Sequence, residues 1–202
     1  MFTNSVLIDA ILPQIDNKTK AIARDVALVL GFAILTGICA KFKIEIGPIP
    51  ITMQTFAVLV SGVLLGSKRG ATSQITYLLG GLMGLPWFSR GGGLAYILSP
   101  TFGYILGFVF AAYSVGYLAE KGWDRNIRTA ILAIFIGNII IYIPGLLYLI
   151  KFVGLKSVLI IGFYPFILGD ILKIALAGLL LPLAWKILNH QRISNRKGFV
   201  IR

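Results

Sequence analysis

Between residues 23 and 188 the chain alternates apolar runs with short clusters of Gly, Pro and charge, and that alternation fixes most of what it can become. The runs stand at 23–40, 51–66, 70–88, 100–118, 127–150 and 163–188. A helical membrane span needs about 20 apolar residues, and in lipid each span must satisfy its own backbone polar groups. The pattern therefore predicts an all-α fold, an integral membrane bundle of six transmembrane helices. With 57% hydrophobic residues, 13% charged residues and a mean hydropathy of +0.89, a chain of 202 residues has no room for a separate soluble domain. The expected division is an N-terminal cytoplasmic or interfacial segment over 1–20, a membrane domain over 21–188 and a basic cytoplasmic tail over 189–202.

Residues 1–20 contain Asp9, Pro13 and Asp16 and lack the basic start, unbroken apolar core and small-residue cleavage site of a secretory signal, so they are expected to be retained. Phe2, Val6, Leu7, Ile11 and Ile15 suggest a short face at the membrane surface, with a frayed tail as the alternative. Several runs are short or interrupted. The second holds polar Thr52, Gln54, Thr55 and Ser61, and the third carries Gly80, Gly81, Gly84 and Pro86, which point to close packing and a broken end.

A net charge of +12 would suggest nucleic acid for a soluble protein, but here the basic residues lie between and beyond the apolar runs, so no nucleic-acid partner is expected. With six spans both termini share a side. That side carries thirteen Lys and Arg residues against five on the other, Lys173 being set aside as intramembrane. The positive-inside rule then places both termini in the cytoplasm of a multi-pass protein of the cell membrane. The loops at 41–50, 89–99 and 151–162 face outward. Each is apolar enough to dip back as a lid, although ordinary tight turns need the same Gly and Pro.

The last run is the most informative, because Asp170 and Lys173 interrupt it near its middle. An ionisable side chain at that depth costs about 3 kcal/mol on insertion scales, so such residues face a bundle interior or cavity. The i, i+3 spacing puts carboxylate and ammonium on one helical face, where they can serve one polar ligand. A self-neutralising ion pair that only permits insertion is the alternative.

Little else carries chemistry. No phosphate-binding loop occurs, the single histidine is His190 in the basic tail, and the single cysteine, Cys39, lies in the first run. Catalysis, a metal site and a bound cofactor are not expected. The triple glycine at 91–93 beside Arg90 is a weak anion cradle. In the first run Ala23, Ala27 and Gly31 recur every four residues, and Ala33 and Gly37 repeat the spacing on a neighbouring stripe. Such stripes admit a closely packed helix, from within the bundle or from a partner.

Five segments occur in an order and spacing that resemble the biotin transporter family BioY. They are Gly47-Pro-Ile-Pro-Ile-Thr-Met-Gln-Thr, Leu65-Gly-Ser-Lys-Arg-Gly, Tyr77-Leu-Leu-Gly-Gly-Leu-Met-Gly-Leu-Pro-Trp-Phe, Gly91-Gly-Gly-Leu-Ala-Tyr-Ile-Leu-Ser-Pro-Thr-Phe-Gly-Tyr and Gly169-Asp-Ile-Leu-Lys. The resemblance covers residues 20–188 and implies the S-component fold: a six-helix substrate-binding subunit of a prokaryotic energy-coupling-factor (ECF) transporter that holds biotin near the outer face. It implies that Asp170 and Lys173 contact biotin, Asp170 accepting ureido N–H bonds and Lys173 donating to the ureido oxygen or the carboxylate. It also implies that the Ala23, Ala27 and Gly31 stripe docks on a membrane-embedded T component, with energy supplied by partner ATPase subunits. Two positions depart from the family pattern: Gly91 stands where asparagine can occur, and Ile105 where a carboxylate-binding arginine can occur. Arg90, or the backbone of 91–93, is the candidate substitute, and Gln54, Gln74 and Tyr96 are further polar candidates. The competing readings are an S component for another vitamin and an ion-coupled carrier using Asp170 as its proton site.

Overall fold

The computed structural model describes residues 6–12 and 15–199, with side chains as far as His190. The chain runs through α1 (Leu7–Ile11), α2 (Lys18–Cys39), the short antiparallel strands β1 (Lys43–Ile44) and β2 (Ile51–Thr52), α3 (Gln54–Leu65), α4 (Ser67–Leu82), α5 (Phe102–Glu120), α6 (Ile127–Val153), α7 (Val158–Gly162) and α8 (Ile167–Phe199). Helices α2 to α6 and α8 are the six of the bundle. The expected basic tail over 189–202 begins as a direct continuation of α8, whose backbone stays helical to Phe199.

The central helix is α5, which packs on α3, α4 and α6 and buries Gly103, Gly107, Ala111, Ala112 and Gly116. Small side chains along one helix let three neighbours approach it closely, which substitutes for the hydrophobic drive that lipid does not supply. The chain alternates direction, so α2, α4 and α6 end where the β1–β2 hairpin and the connections to α5 and α8 lie. The opposite end, called the basic end below, holds the start of α2, the turn at Gly66 between α3 and α4, and the α5–α6 connection.

Among the described residues four stretches are long and apolar enough to cross a membrane, Lys18–Cys39, Phe102–Glu120, Ile127–Val153 and Val158–His190. The second and third runs fall short. Helix α3 has 12 residues, a rise of about 18 Å against a hydrocarbon core of about 30 Å. The missing length is filled by the hairpin, irregular backbone that membrane depth tolerates only beside protein or a cavity. Helix α4 stops at Leu82 rather than continuing to 88 as its composition suggested. A Cβ on Gly81 would lie 2.0 Å from the Phe88 ring and one on Gly80 2.1 Å from the Trp87 ring. The segment after α4 therefore folds back onto these two glycines.

The N-terminal segment departs from both sequence expectations, surface-lying face and frayed tail. Val6, Leu7 and Ala10 are buried, and Leu7 and Ala10 pack with Trp185 of α8. Arg69 pins the arrangement by pairing with Asp9 at 2.5 Å and Asp25 at 3.2 Å. Phe2 and Pro13 lie outside the described residues.

The thirteen-to-five distribution of basic residues leads to the expectation that the basic end faces the cytoplasm. A tag at either terminus is expected to react only with cytoplasmic reagents, and cysteine probes at positions 43 and 156 only with external ones. Accessibility labelling of intact cells with a membrane-impermeant maleimide checks this, and the opposite pattern would invert the topology.

Candidate ligand-binding site

Under the hairpin, α3, α5, α6 and α8 enclose a narrow cavity of about 50 Å³. Its apolar walls are Ile49, Pro50, Ile105, Phe108, Ile141 and Phe166. Its polar lining is Thr52, Gln54, Thr55, Ser89, Tyr96, Thr101, Tyr104, Asn138, Tyr142, Asp170 and Lys173. An apolar enclosure with a few convergent polar groups is the usual form of a small-molecule site.

The pair in α8 lies on this wall, with Asp170 7% and Lys173 8% exposed. Lys173 Nζ donates to the Thr52 carbonyl at 2.9 Å, to Thr55 Oγ1 at 2.9 Å and to Asp170 Oδ1 at 3.3 Å. An ammonium has three N–H bonds, so these acceptors occupy all of them. The other carboxylate oxygen, Asp170 Oδ2, accepts the Tyr142 hydroxyl proton. Both charges are thus compensated, yet a carboxylate offers about four lone-pair sites and keeps room for further donors.

A second polar group lies toward the loop after α4. Tyr96 Oη is 2.9 Å from Ser89 Oγ and accepts a bond of 3.1 Å from Thr101 Oγ1. Gln54 faces the cavity too, but it accepts from Thr52 at 3.1 Å and donates to the Tyr77 hydroxyl at 2.6 Å. Gln74 is fully buried away from the cavity and donates to Thr36, Ser61 and Ser73 among α2, α3 and α4.

Of the remaining residues singled out from the sequence, Arg90 and Gly91 do not line the cavity. Arg90 donates to the carbonyls of Pro48 at 2.9 Å and Gly47 at 3.1 Å and pairs with Glu45 at 3.1 Å. It fastens the loop after α4 to the hairpin. The Lys43 ammonium beside Glu45 holds that carboxyl below its ordinary pKa, with Arg90 adding to the effect. Gly91 takes φ +120° in a tight turn whose N–H bonds Phe88, while the N–H of Gly93 goes to Gly81. Those two amides are committed to backbone carbonyls. Of the three outward loops, the hairpin and 89–99 roof the cavity, and 151–162 contributes no lining residue.

The two small-residue stripes of α2 separate. Ala33 and Gly37 are buried, and a Cβ on Gly37 would lie 2.8 Å from Trp87. Ala23, Ala27 and Gly31 are exposed, and a Cβ on Gly31 meets nothing within 4 Å. Around them Ile22, Val26, Leu30, Ile34 and Ile38 present an unbroken apolar face.

Sequence reading missed Asn138 and Tyr142. They stand one turn apart on α6, and that i, i+4 spacing of polar groups inside an apolar run was the available signal.

Three comparisons bear on this arrangement. The sequence matches the BioY family over residues 13–190. It is 38% identical over 156 residues to the "Probable biotin transporter BioY" of Pyrococcus horikoshii, covering 77% of this chain and 92% of that protein. To the "Biotin transporter BioY" of Rhizobium etli it is 37% identical over 169 residues, covering 78% of this chain and 90% of the other. The fold is shared with the S-component for biotin from an ECF-type ABC transporter, with a TM-score of 0.71 at 24% identity over 85% of this chain and 95% of that one.

Proposed function

This chain belongs to the BioY family, and from that membership and the chemistry of the cavity we propose that it is the biotin-binding specificity subunit, the S component, of an ATP-driven ECF-type importer in a prokaryotic cell membrane. The observation that carries the reading is Asp170, a buried carboxylate held in place by Tyr142 and Lys173 on the wall of a cavity that also presents the apolar faces of Ile105, Phe108 and Ile141.

Biotin has a ureido ring with two N–H donors and one carbonyl, an apolar thioether ring and chain, and a terminal carboxylate. Asp170 accepts a ureido N–H on a free lone pair, a charge-assisted bond in a dehydrated site. Lys173 fixes the position and charge of Asp170. The thioether ring and chain lie against Ile105, Phe108 and Ile141. Among the described residues no cation other than Lys173 lines the cavity, so the ligand carboxylate meets the hydroxyls of Ser89, Tyr96 and Thr101 beneath the roof. Because the cavity is narrow, admission of a molecule the size of biotin is coupled to outward movement of that roof.

Uptake then depends on partner subunits: a membrane T component docking on the exposed Ala23, Ala27 and Gly31 stripe, and ATPases that drive it. Titration of the purified protein against a vitamin panel tests the central claim. Biotin is expected to bind at least about 100-fold more tightly than thiamine, riboflavin or pantothenate, none of which presents a cyclic urea with two N–H donors. Equal or tighter binding of another vitamin would overturn the reading.

A further inference from the structure

Asn138 is buried, with 4% of its surface exposed, and lines the cavity. Neither its Oδ1 nor its Nδ2 has a hydrogen-bond partner. Among the described residues it is the only cavity-lining side chain so left. A buried amide with both ends unmatched is destabilising by itself and is retained where something else completes it.

Its position says what. Helix α6 packs on α8. Asn138 lies one turn from Tyr142 toward the basic end, about 6 Å along α6, and Lys173 lies about 4.5 Å beyond Asp170 in the same direction along α8. The two residues thus stand at one depth on facing helices, below the carboxylate. Lys173, whose backbone stands at that depth, turns its ammonium toward the hairpin end and has placed all three of its N–H bonds on Thr52, Thr55 and Asp170. A ligand carbonyl arriving there needs a donor that Lys173 does not have free, and the Asn138 amide supplies one.

Resting on the biotin reading above, we propose that Asn138 is a specificity-determining residue that reads the cyclic urea edge. Nδ2 donates to the urea oxygen, Oδ1 accepts from the adjacent ring N–H, and the second ring N–H goes to Asp170. A five-membered ring holds N–H and C=O side by side in the cis arrangement, which matches a carboxamide edge in a two-bond pair. Both unmatched atoms are satisfied in one step, and an isostere without the urea oxygen is rejected because it leaves Nδ2 bare.

Biotin and 2-iminobiotin, a cyclic guanidine that at neutral pH is protonated and presents N–H donors where biotin has its urea oxygen, are titrated at pH 7 into wild-type, Asn138→Leu and Asn138→Asp protein in detergent, and melting temperatures without ligand are recorded. Asn138→Leu is expected to weaken biotin roughly 10- to 100-fold, to weaken iminobiotin much less, and to leave the unliganded melting temperature unchanged or raised, since an unsatisfied amide has been removed. Asn138→Asp keeps the volume but exchanges donor for acceptor, so it shifts preference toward iminobiotin and carries the test if the leucine variant does not fold. Wild-type protein that binds no biotin defeats the biotin reading and this inference with it. Wild-type binding with no change in the ratio of the two affinities in either variant overturns the role of Asn138 alone.

Discussion

Asp170→Asn is expected to weaken biotin binding by about 100-fold or more, and Lys173→Met by a similar factor, in protein that still folds. A charge-assisted hydrogen bond in a dry site contributes about 2 kcal/mol, and a buried partner left unmatched adds a comparable penalty; each 1.4 kcal/mol is tenfold in affinity. The two changes act differently. Asparagine removes the charge that Lys173 faces and turns an amide donor toward the ligand N–H. Methionine removes the ammonium that holds Asp170 Oδ1 and leaves a buried carboxylate supported only by Tyr142. Breaking a buried pair by one partner destabilises the protein more than removing both. The double variant should therefore recover much of the thermal stability that each single variant loses, and recover none of the affinity. Melting temperature and biotin affinity measured on all three proteins separate the two quantities. Affinity regained in the double variant would show that the pair exists only to neutralise itself.

The second large effect is on transport without binding. Ala27→Leu and Gly31→Leu should leave biotin affinity unchanged and abolish ATP-dependent uptake by the assembled transporter. Both positions point away from the bundle, and a side chain on Gly31 meets nothing within 4 Å, so leucine there costs the isolated subunit little. A helix that must come within close backbone distance of α2 meets the added bulk directly. Gly37→Leu is the internal contrast: its Cβ would collide with Trp87 at 2.8 Å, and it should damage the subunit itself. Binding assays on purified subunit and uptake assays in cells distinguish the stripes. Loss of binding in Ala27→Leu would place that stripe inside the fold.

The bundle and the Asp170 and Lys173 pair were legible in the sequence because ionisable groups are conspicuous in an apolar run, and because a helix needs only its own residues to be read. Asn138 and Tyr142 were not, since a neutral amide and a phenol change local hydropathy little and their partners lie on other helices. The hydrogen bond between Tyr142 and Asp170 spans 28 positions. Arg90 was misleading in an instructive way. Its nearness to three glycines suggested an anion site, whereas its partners Glu45, Gly47 and Pro48 stand more than forty positions earlier. The hairpin was invisible for a different reason: strands of two residues have no alternation to detect. The two stripes of α2 look alike as spacing, and only the placement of Trp87 tells them apart.

The fastening of the roof has a consequence for time rather than affinity. Arg90 ties the loop after α4 to three hairpin groups, and Lys41 Nζ adds a bond of 2.9 Å to the Phe88 carbonyl. The two coverings cannot open one after the other while those bonds persist, so they move as a single flap. On the proposed function, escape of a sealed ligand is then expected to be one first-order event whose half-life is set by flap opening rather than by the contacts inside the cavity.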